Sequence, residues 1–161
     1  MKLYTSTNMT YDIPGHQQLI INTIILDLNG TLSVGGAVPE GVRAKIDQLR
    51  EKGLELVLFT GNTRGDAQDL ADGLGISWRQ AATAEEKRQL ASEYDPATCA
   101  TIGNGRIDLE LMKSVALGIV TLQAEGAHTK TLLAADIVVP NILDALDLFI
   151  DEHRLIATLR S

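Results

Sequence analysis

The sequence predicts a three-layer α/β/α fold with a mainly parallel central sheet, and three observations carry that prediction. Short apolar runs alternate along the chain with helix-length amphipathic segments, the arrangement that covers a parallel sheet on both faces. The runs ending at residues 26, 59 and 102 pass directly into turns rich in Asp, Asn, Thr and Gly. With 161 residues, 45% of them hydrophobic, the chain can bury one substantial core, so a single domain over residues 1–161 suffices.

The elements follow in order. Tyr4, Thr5, Thr7, Met9, Thr10, Tyr11 and Ile13 predict an extra edge strand within residues 1–18, closed by the Pro14-Gly15 turn. Residues 19–26 are apolar enough for the first buried strand. Val34-Gly35-Gly36-Ala37-Val38 suits a small flap hairpin over residues 33–38, because Gly-Gly tolerates the positive φ of such turns. Pro39 then precedes a helix in which Val42, Ile46 and Leu49 recur at helical spacing up to Gly53. Residues 54–59 form the next strand, 64–74 a helix stopped by Gly75, and 76–79 a short strand. Thr83 and Glu86 make a capping box that opens a helix over 84–94. A strand over 99–102, a helix over 106–116, a strand over 117–122, a helix over 129–135, a strand over 137–139 and a last helix from Ile142 complete the chain. Asp144, Asp147 and Asp151 are expected on the wet face of that last helix, opposite Leu143, Leu146 and Ile150.

Composition excludes several classes of function. Fourteen Lys and Arg against 21 Asp and Glu give a net charge of −7, which repels a phosphate backbone, so no nucleic acid partner is expected. A single cysteine, Cys99, permits no intrachain disulfide and falls in a predicted strand, where a buried structural thiol is expected. No apolar run approaches the roughly 18 residues of a membrane span, and the start has no charged-then-apolar signal pattern. The expected protein is soluble and cytoplasmic, with no membrane partner. His16, His128 and His153 have no partner pattern and receive no role.

The chemistry concentrates at strand ends. Ile24-Ile25-Leu26-Asp27-Leu28-Asn29-Gly30-Thr31 delivers one carboxylate, Asp27, from an apolar strand into a tight turn. Taken alone, Asn-Gly between apolar runs fits equally a hairpin folding residues 24–28 onto 31–34. Three further elements follow in fixed order: the strand ending in Thr60-Gly61-Asn62, Lys87 near a helix start, and Thr101-Ile102 ending in Gly103-Asn104-Gly105-Arg106-Ile107-Asp108. Each has a simpler reading of its own: a turn for Thr60, a solvated helix charge for Lys87, helix capping for Asn104 and Asp108.

Taken together and in this order, the four motifs resemble the haloacid dehalogenase superfamily, and within it the phosphorylation domain of P-type ATPases and its soluble stand-alone relatives. The likeness covers roughly residues 23–149. It implies a Rossmann-like sheet with the motifs at the carboxyl ends of the strands. The resemblance gives Asp27 the role of nucleophile forming an aspartyl phosphate, with Thr60 and Lys87 holding and neutralising the phosphoryl group. Thr31, Gly61 and Asn62 complete the substrate-binding set. Mg²⁺ is expected on Asp27, the main-chain carbonyl of Asn29, Asn104 and Asp108. The gaps between motifs leave no room for a cap domain or for the nucleotide-binding domain of P-type ATPases, so the resemblance implies a site open to large substrates or closed by a neighbouring subunit of a homo-oligomer, with a small phosphorylated molecule as the expected partner.

Four positions depart from the pattern. Asn29 stands where superfamily phosphatases carry an Asp that protonates the leaving group, and an amide cannot shuttle a proton. Asn62 and Asn104 each stand where the pattern has Asp, and both changes remove negative charge, leaving the expected metal site two carboxylates, Asp27 and Asp108. Ile107 replaces an Asn expected to brace the turn. The implied activity is therefore a slow Mg²⁺-dependent phosphohydrolase or phosphotransferase that favours good leaving groups. The alternatives are a catalytically degenerate module that binds Mg²⁺ and phosphate for regulation, and a scaffold docking through the flap.

Overall fold

The computed structural model describes residues 7–161. Its strands are β1 (Met9–Tyr11), β2 (Leu19–Ile21), β3 (Thr23–Leu26), β4 (Glu55–Thr60), β5 (Ser77–Gln80), β6 (Cys99–Gly103), β7 (Leu117–Thr121) and β8 (Ile137–Val139). Its α-helices are α1 (Val42–Glu51), α2 (Ala67–Leu74), α3 (Ala84–Ala91), α4 (Leu109–Ser114), α5 (Thr129–Ala134), α6 (Ile142–Ile150) and α7 (Glu152–Leu159). Strands β3 to β8 form one parallel sheet in the order β5-β4-β3-β6-β7-β8. The α/β/α class read from the alternation is the one observed.

Alternation along the strands builds the layers. Ile24 and Leu26, with Leu56 and Leu58, face a core closed by Val42, Ile46 and Leu49 of α1 and by Ala145, Leu146 and Phe149 of α6. Ile25, Val57, Phe59 and Cys99 face the other side, against Ala91 of α3 and Leu111 of α4. Every residue of β3 and β6 is buried, as expected of central strands covered on both faces. Cys99 is buried there, and burial pushes its thiol up to about 12, so it is an inert core group.

The strand order fixes where a ligand can sit. From β3 the chain runs outward through β4 to β5, then returns to pair β6 on the other side of β3 and runs outward to β7 and β8. The crossovers diverge between β3 and β6, and the crevice beyond the carboxyl ends of strands at such a switch point is where open sheets bind ligands. Asp27 follows β3 and Asn104 follows β6.

Several boundaries differ from expectation. The apolar run 19–26 is two strands, because Asn22 bends the chain: its N–H donates to Thr98 O (2.9 Å) and its carbonyl accepts from Glu55 N–H (2.9 Å), starting the main sheet there. The residues before it pair instead with β1 in a separate antiparallel ribbon, so residues 9–11 do not edge the main sheet. Tyr4 and Thr5 lie outside the described residues. The helix expected from 64 starts at Ala67, since residues 62–65 turn through Asn62 at φ 54° and the Asn62 Oδ1 accepts from Ala67 N–H (3.1 Å). The helix expected over 106–116 is a 3₁₀ turn, Arg106–Asp108, leading into α4.

The last helix breaks at Asp151, whose carboxylate caps α7 by accepting from His153 N–H (3.2 Å). Asp147 is not on a wet face: it pairs with Lys45 and ties α6 to α1. The flap forms as expected. Val34 and Ala37 exchange both backbone hydrogen bonds across Gly35 (φ 60°) and Gly36 (φ 86°), and among the described residues no cap domain stands beside it. Among the described residues no helix is long and apolar enough to cross a membrane.

Candidate active site

The turn after β3 is built to project one carboxylate. Asp27 N–H donates to Ile102 O (3.0 Å), which continues the β3–β6 register by one residue, and the chain then coils so that Leu32 N–H donates back to Asp27 O (3.2 Å). Gly30 N–H donates to Ser33 O (2.8 Å). Gly30 has φ 75°, and a Cβ added there would collide with Asn104 Nδ2, so both its conformation and the crowding require glycine. Residues 31–34 do not fold back on β3, whose neighbours are β4 and β6, so the hairpin reading of Asn-Gly does not apply here.

Three charged groups converge. Lys87 Nζ donates to Asp27 Oδ1 (2.6 Å) and to Asp108 Oδ1 (2.7 Å). Lys87 and Asp108 are each 1% exposed, while Asp27 keeps 12% of its side chain open to the cleft. Lys87 reaches the site because the Thr83/Glu86 capping box starts α3 beside the carboxyl end of β5 and turns this residue inward. Asp108 Oδ2 accepts from the N–H groups of Asn104 (3.1 Å) and Gly105 (3.0 Å), so Asp108 holds the Gly103–Asp108 turn as well as the lysine.

The electrostatics follow from two buried carboxylates sharing one ammonium. Burial raises the Asp27 carboxyl, repulsion from Asp108 adds to it, and Lys87 offsets only part, leaving Asp27 at about 6. Burial works against the Lys87 ammonium, but Asp27 and then Asp108 outweigh it, so its pKa ends above the ordinary lysine value.

Thr60, Gly61, Asn29, Asn104 and Ile107 line the same cleft of about 240 Å³. Thr60 Oγ1 accepts from Asn62 N–H (3.1 Å), which leaves the hydroxyl proton to donate into the cleft. Larger hollows exist, one of about 570 Å³ beside Lys113, Lys130 and Leu133, so converging groups rather than volume mark this site.

Two predicted substrate-binding residues point elsewhere. Thr31 is fully buried, and its hydroxyl lies 3.3 Å from Asn104 Oδ1 and 3.5 Å from Asp27 Oδ2; it braces these two side chains and has no surface for a substrate. The Asn62 side chain accepts from Ala67 N–H at the start of α2, and Asn62 does not line the cleft. The turn that Ile107 fails to brace is held by other bonds: His128 N–H to Asn104 O (2.8 Å), Thr131 hydroxyl to Gly105 O (3.0 Å) and Asn104 Nδ2 to Gly126 O (2.9 Å).

Sequence reasoning missed the loop after β7. Gln123 Nε2 donates to Gly30 O (2.9 Å) and Thr31 O (2.6 Å), Thr121 hydroxyl donates to Gly30 O (3.1 Å), and Glu125 lines the cleft. The signal was available, because the rule that placed Asp27 and Asn104 at strand ends applies equally to the residues following β7.

The donor set suits a hard divalent cation. Asp27 Oδ2 and Asn104 Oδ1 share the Thr31 hydroxyl, which brings these two side-chain oxygens near each other, while the other Asp27 oxygen, Oδ1, accepts from Lys87. Among the described residues no group of three or more His, Cys, Asp or Glu could hold a metal ion, so any binding relies on amide and main-chain oxygens beside two carboxylates.

No protein-family profile matches the chain. An uncharacterized protein of Methanocaldococcus jannaschii is 47% identical over 72 residues, which are 45% of this chain and 77% of that one. The soluble P-type ATPase-like phosphatase of the same organism is 30% identical over 135 residues, 81% of this chain, and the chain spans 50% of its length. A HAD superfamily hydrolase of Legionella pneumophila superposes with TM-score 0.69 at 17% identity, covering 86% of this chain and 87% of that one. The 3-deoxy-D-manno-octulosonate 8-phosphate phosphatase of Moraxella catarrhalis, solved with magnesium, phosphate and its sugar acid, superposes with TM-score 0.67 at 18% identity over 87% of this chain and 94% of that one.

Proposed function

We propose that the chain is a capless member of the haloacid dehalogenase superfamily and a Mg²⁺-dependent phosphohydrolase or phosphotransferase working through an aspartyl phosphate on Asp27, a reading supported by its similarity to the soluble P-type ATPase-like phosphatase. One observation carries the reading: a single buried lysine bridges Asp27 and Asp108 at the sheet's switch point, with a donating threonine in the same cleft. A structural ion pair needs no such threonine and no open face on Asp27.

Each side chain has a task. Asp27 Oδ1, beside Lys87, attacks phosphorus in line, and the bond to the leaving oxygen breaks. Lys87 orients that oxygen and neutralises the incoming phosphoryl charge, while the Thr60 hydroxyl donates to a phosphoryl oxygen. Asp108 fixes the lysine and the Asn104 turn. Asp27 Oδ2, the Asn29 carbonyl, Asn104 Oδ1 and Asp108 would hold Mg²⁺. Bound there, the ion supplies positive charge against the phosphoryl oxygens. Before phosphate arrives that binding is weak, because both Asp108 oxygens already accept hydrogen bonds and Asn104 brings no charge.

Asn29 cannot protonate a leaving group, and general acid catalysis is typically worth about 10² to 10⁴ in rate, so unless another group in the cleft supplies the proton, acyl phosphates and aryl phosphates are preferred over alkyl phosphates. The substrate class is a small phosphorylated molecule. The same Asn29 favours a second reading, in which the cleft binds Mg²⁺ and a phosphorylated ligand without turnover. Release of product from acetyl phosphate and p-nitrophenyl phosphate, in Mg²⁺ and in EDTA, separates the two. Metal-dependent turnover that disappears in Asp27→Asn supports the enzyme. Phosphate-dependent thermal stabilisation without turnover supports the binding module.

A further inference from the structure

Phosphoryl transfer at Asp27 needs a proton to reach the leaving oxygen and, afterwards, a base for the attacking water, yet residue 29 is an amide. Asp27 lies at the floor of the cleft with only 12% of its side chain open, so an in-line displacement sends the leaving group toward the mouth. The carboxyl at the mouth is Glu125. It is exposed, it lines the cleft, and its Oε2 lies 3.0 Å from where a Cβ on Gly30 would sit, next to Asn29 in the chain. The two other carboxylates in the site are both engaged with Lys87.

The loop that carries Glu125 is anchored on both sides of it. Two residues before it, Gln123 donates to Gly30 O and Thr31 O; immediately after it, Gly126 O accepts from Asn104 Nδ2. Its loop is bonded to the nucleophile turn on one side and to the Asn104 turn on the other. The carboxyl therefore stays beside the nucleophile turn, lining the cleft while remaining in contact with solvent.

We infer that Glu125 is the proton-carrying residue of this site, taking the task that Asn29 cannot perform. The inference rests on the aspartyl-phosphate reading. In the first step, Asp27 Oδ1 forms a bond to phosphorus, the bond to the leaving oxygen breaks, and that oxygen takes the proton from the Glu125 carboxyl. In the second, a water attacks phosphorus, its proton passes to the Glu125 carboxylate, the Asp27–phosphorus bond breaks, and phosphate leaves. The proton gained in the second step replaces the one given up in the first.

The test is the lifetime of the adduct. The full chain in Mg²⁺ is loaded with acetyl phosphate, whose leaving group needs no proton, then diluted, quenched in acid at intervals and weighed intact. In Glu125→Gln the adduct forms but decays about 10²-fold or more slowly than in wild type, and Glu125→Asp recovers part of the rate. In the Asn29→Asp background, which restores a carboxyl at the neighbouring position, the same Glu125→Gln change loses most of its effect. A merely structural Glu125 would not show this dependence on residue 29. Equal decay in wild type and Glu125→Gln overturns the assignment of Glu125 alone. Absence of any adduct in wild type overturns the aspartyl-phosphate reading on which it rests.

Discussion

Replacing Lys87 by methionine keeps the length of the side chain and removes the one ammonium between two buried carboxylates. The Asp27 and Asp108 Oδ1 atoms lie 2.6 and 2.7 Å from the same nitrogen, so they are no more than about 5.3 Å apart. At an effective dielectric of about 20, two unit charges at that distance repel by about 3 kcal/mol. Removing one partner from a buried pair typically costs about 3 to 5 kcal/mol, which is the same scale. The variant is therefore expected to lose about 3 to 5 kcal/mol at pH 8, measured by urea unfolding with an unchanged m-value.

The sign of the pH effect is set by Asp27. Burial raises its carboxyl from the ordinary 3.8 to about 6 in the folded protein, so its burial is tolerated best when protonated: that contribution is fully present below about 3.8 and is lost as pH rises through about 6. Without Lys87 the folded value moves higher still, and the loss extends above pH 6. The destabilisation measured at pH 5 must then be smaller than at pH 8, and millimolar Mg²⁺ must stabilise the variant more than wild type. A cost below about 1 kcal/mol that does not change between the two pH values would refute the bridging geometry.

Other perturbations test other parts of the site. Gly30→Ala forces a methyl toward Asn104 at φ 75°, and should cost roughly 1 to 3 kcal/mol in thermal or urea unfolding; a neutral result would mean that the turn relaxes freely. Thr60→Val removes the hydroxyl donor but keeps the shape, and adduct formation should slow at least about tenfold while Thr60→Ser stays near wild type, read by quenched-flow mass measurement. Both Asn-Gly pairs have the attacking nitrogen tied up, Gly30 N–H by Ser33 O and Gly105 N–H by Asp108 Oδ2. Peptide mapping after prolonged incubation should therefore find deamidation at Asn29 and Asn104 much slower in the folded protein than in urea, and equal rates would contradict those hydrogen bonds.

The sequence was informative wherever one residue's environment is set by its own strand or helix. The buried strands 23–26 and 99–103 read as continuous apolar runs because both faces are covered, and the turns at their carboxyl ends carried Asp27, Asn104 and Asp108. Lys87 was located by its order among the motifs, not by local pattern, since Glu85, Glu86 and Arg88 around it read as an ordinary charged helix face. What could not be read depends on partners distant in sequence. The bend at Asn22 exists because Thr98 and Glu55 bond to its backbone. Asp147 leaves the wet face only because Lys45, about a hundred residues earlier, reaches it. Thr31 looked like a ligand contact by position, and its true neighbours, Asp27 and Asn104, come from two strand ends. The β7 loop was legible in principle, as the next strand end along the same edge.

The central claim is that a covalent phosphoryl group forms on one named oxygen-bearing side chain. Wild-type protein treated with Mg²⁺ and acetyl phosphate, quenched in acid and digested with an acid-active protease, should yield a single phosphorylated peptide containing Asp27, absent from Asp27→Asn. A phosphoryl group mapped to any other peptide, or one retained at equal yield by Asp27→Asn, would contradict the account.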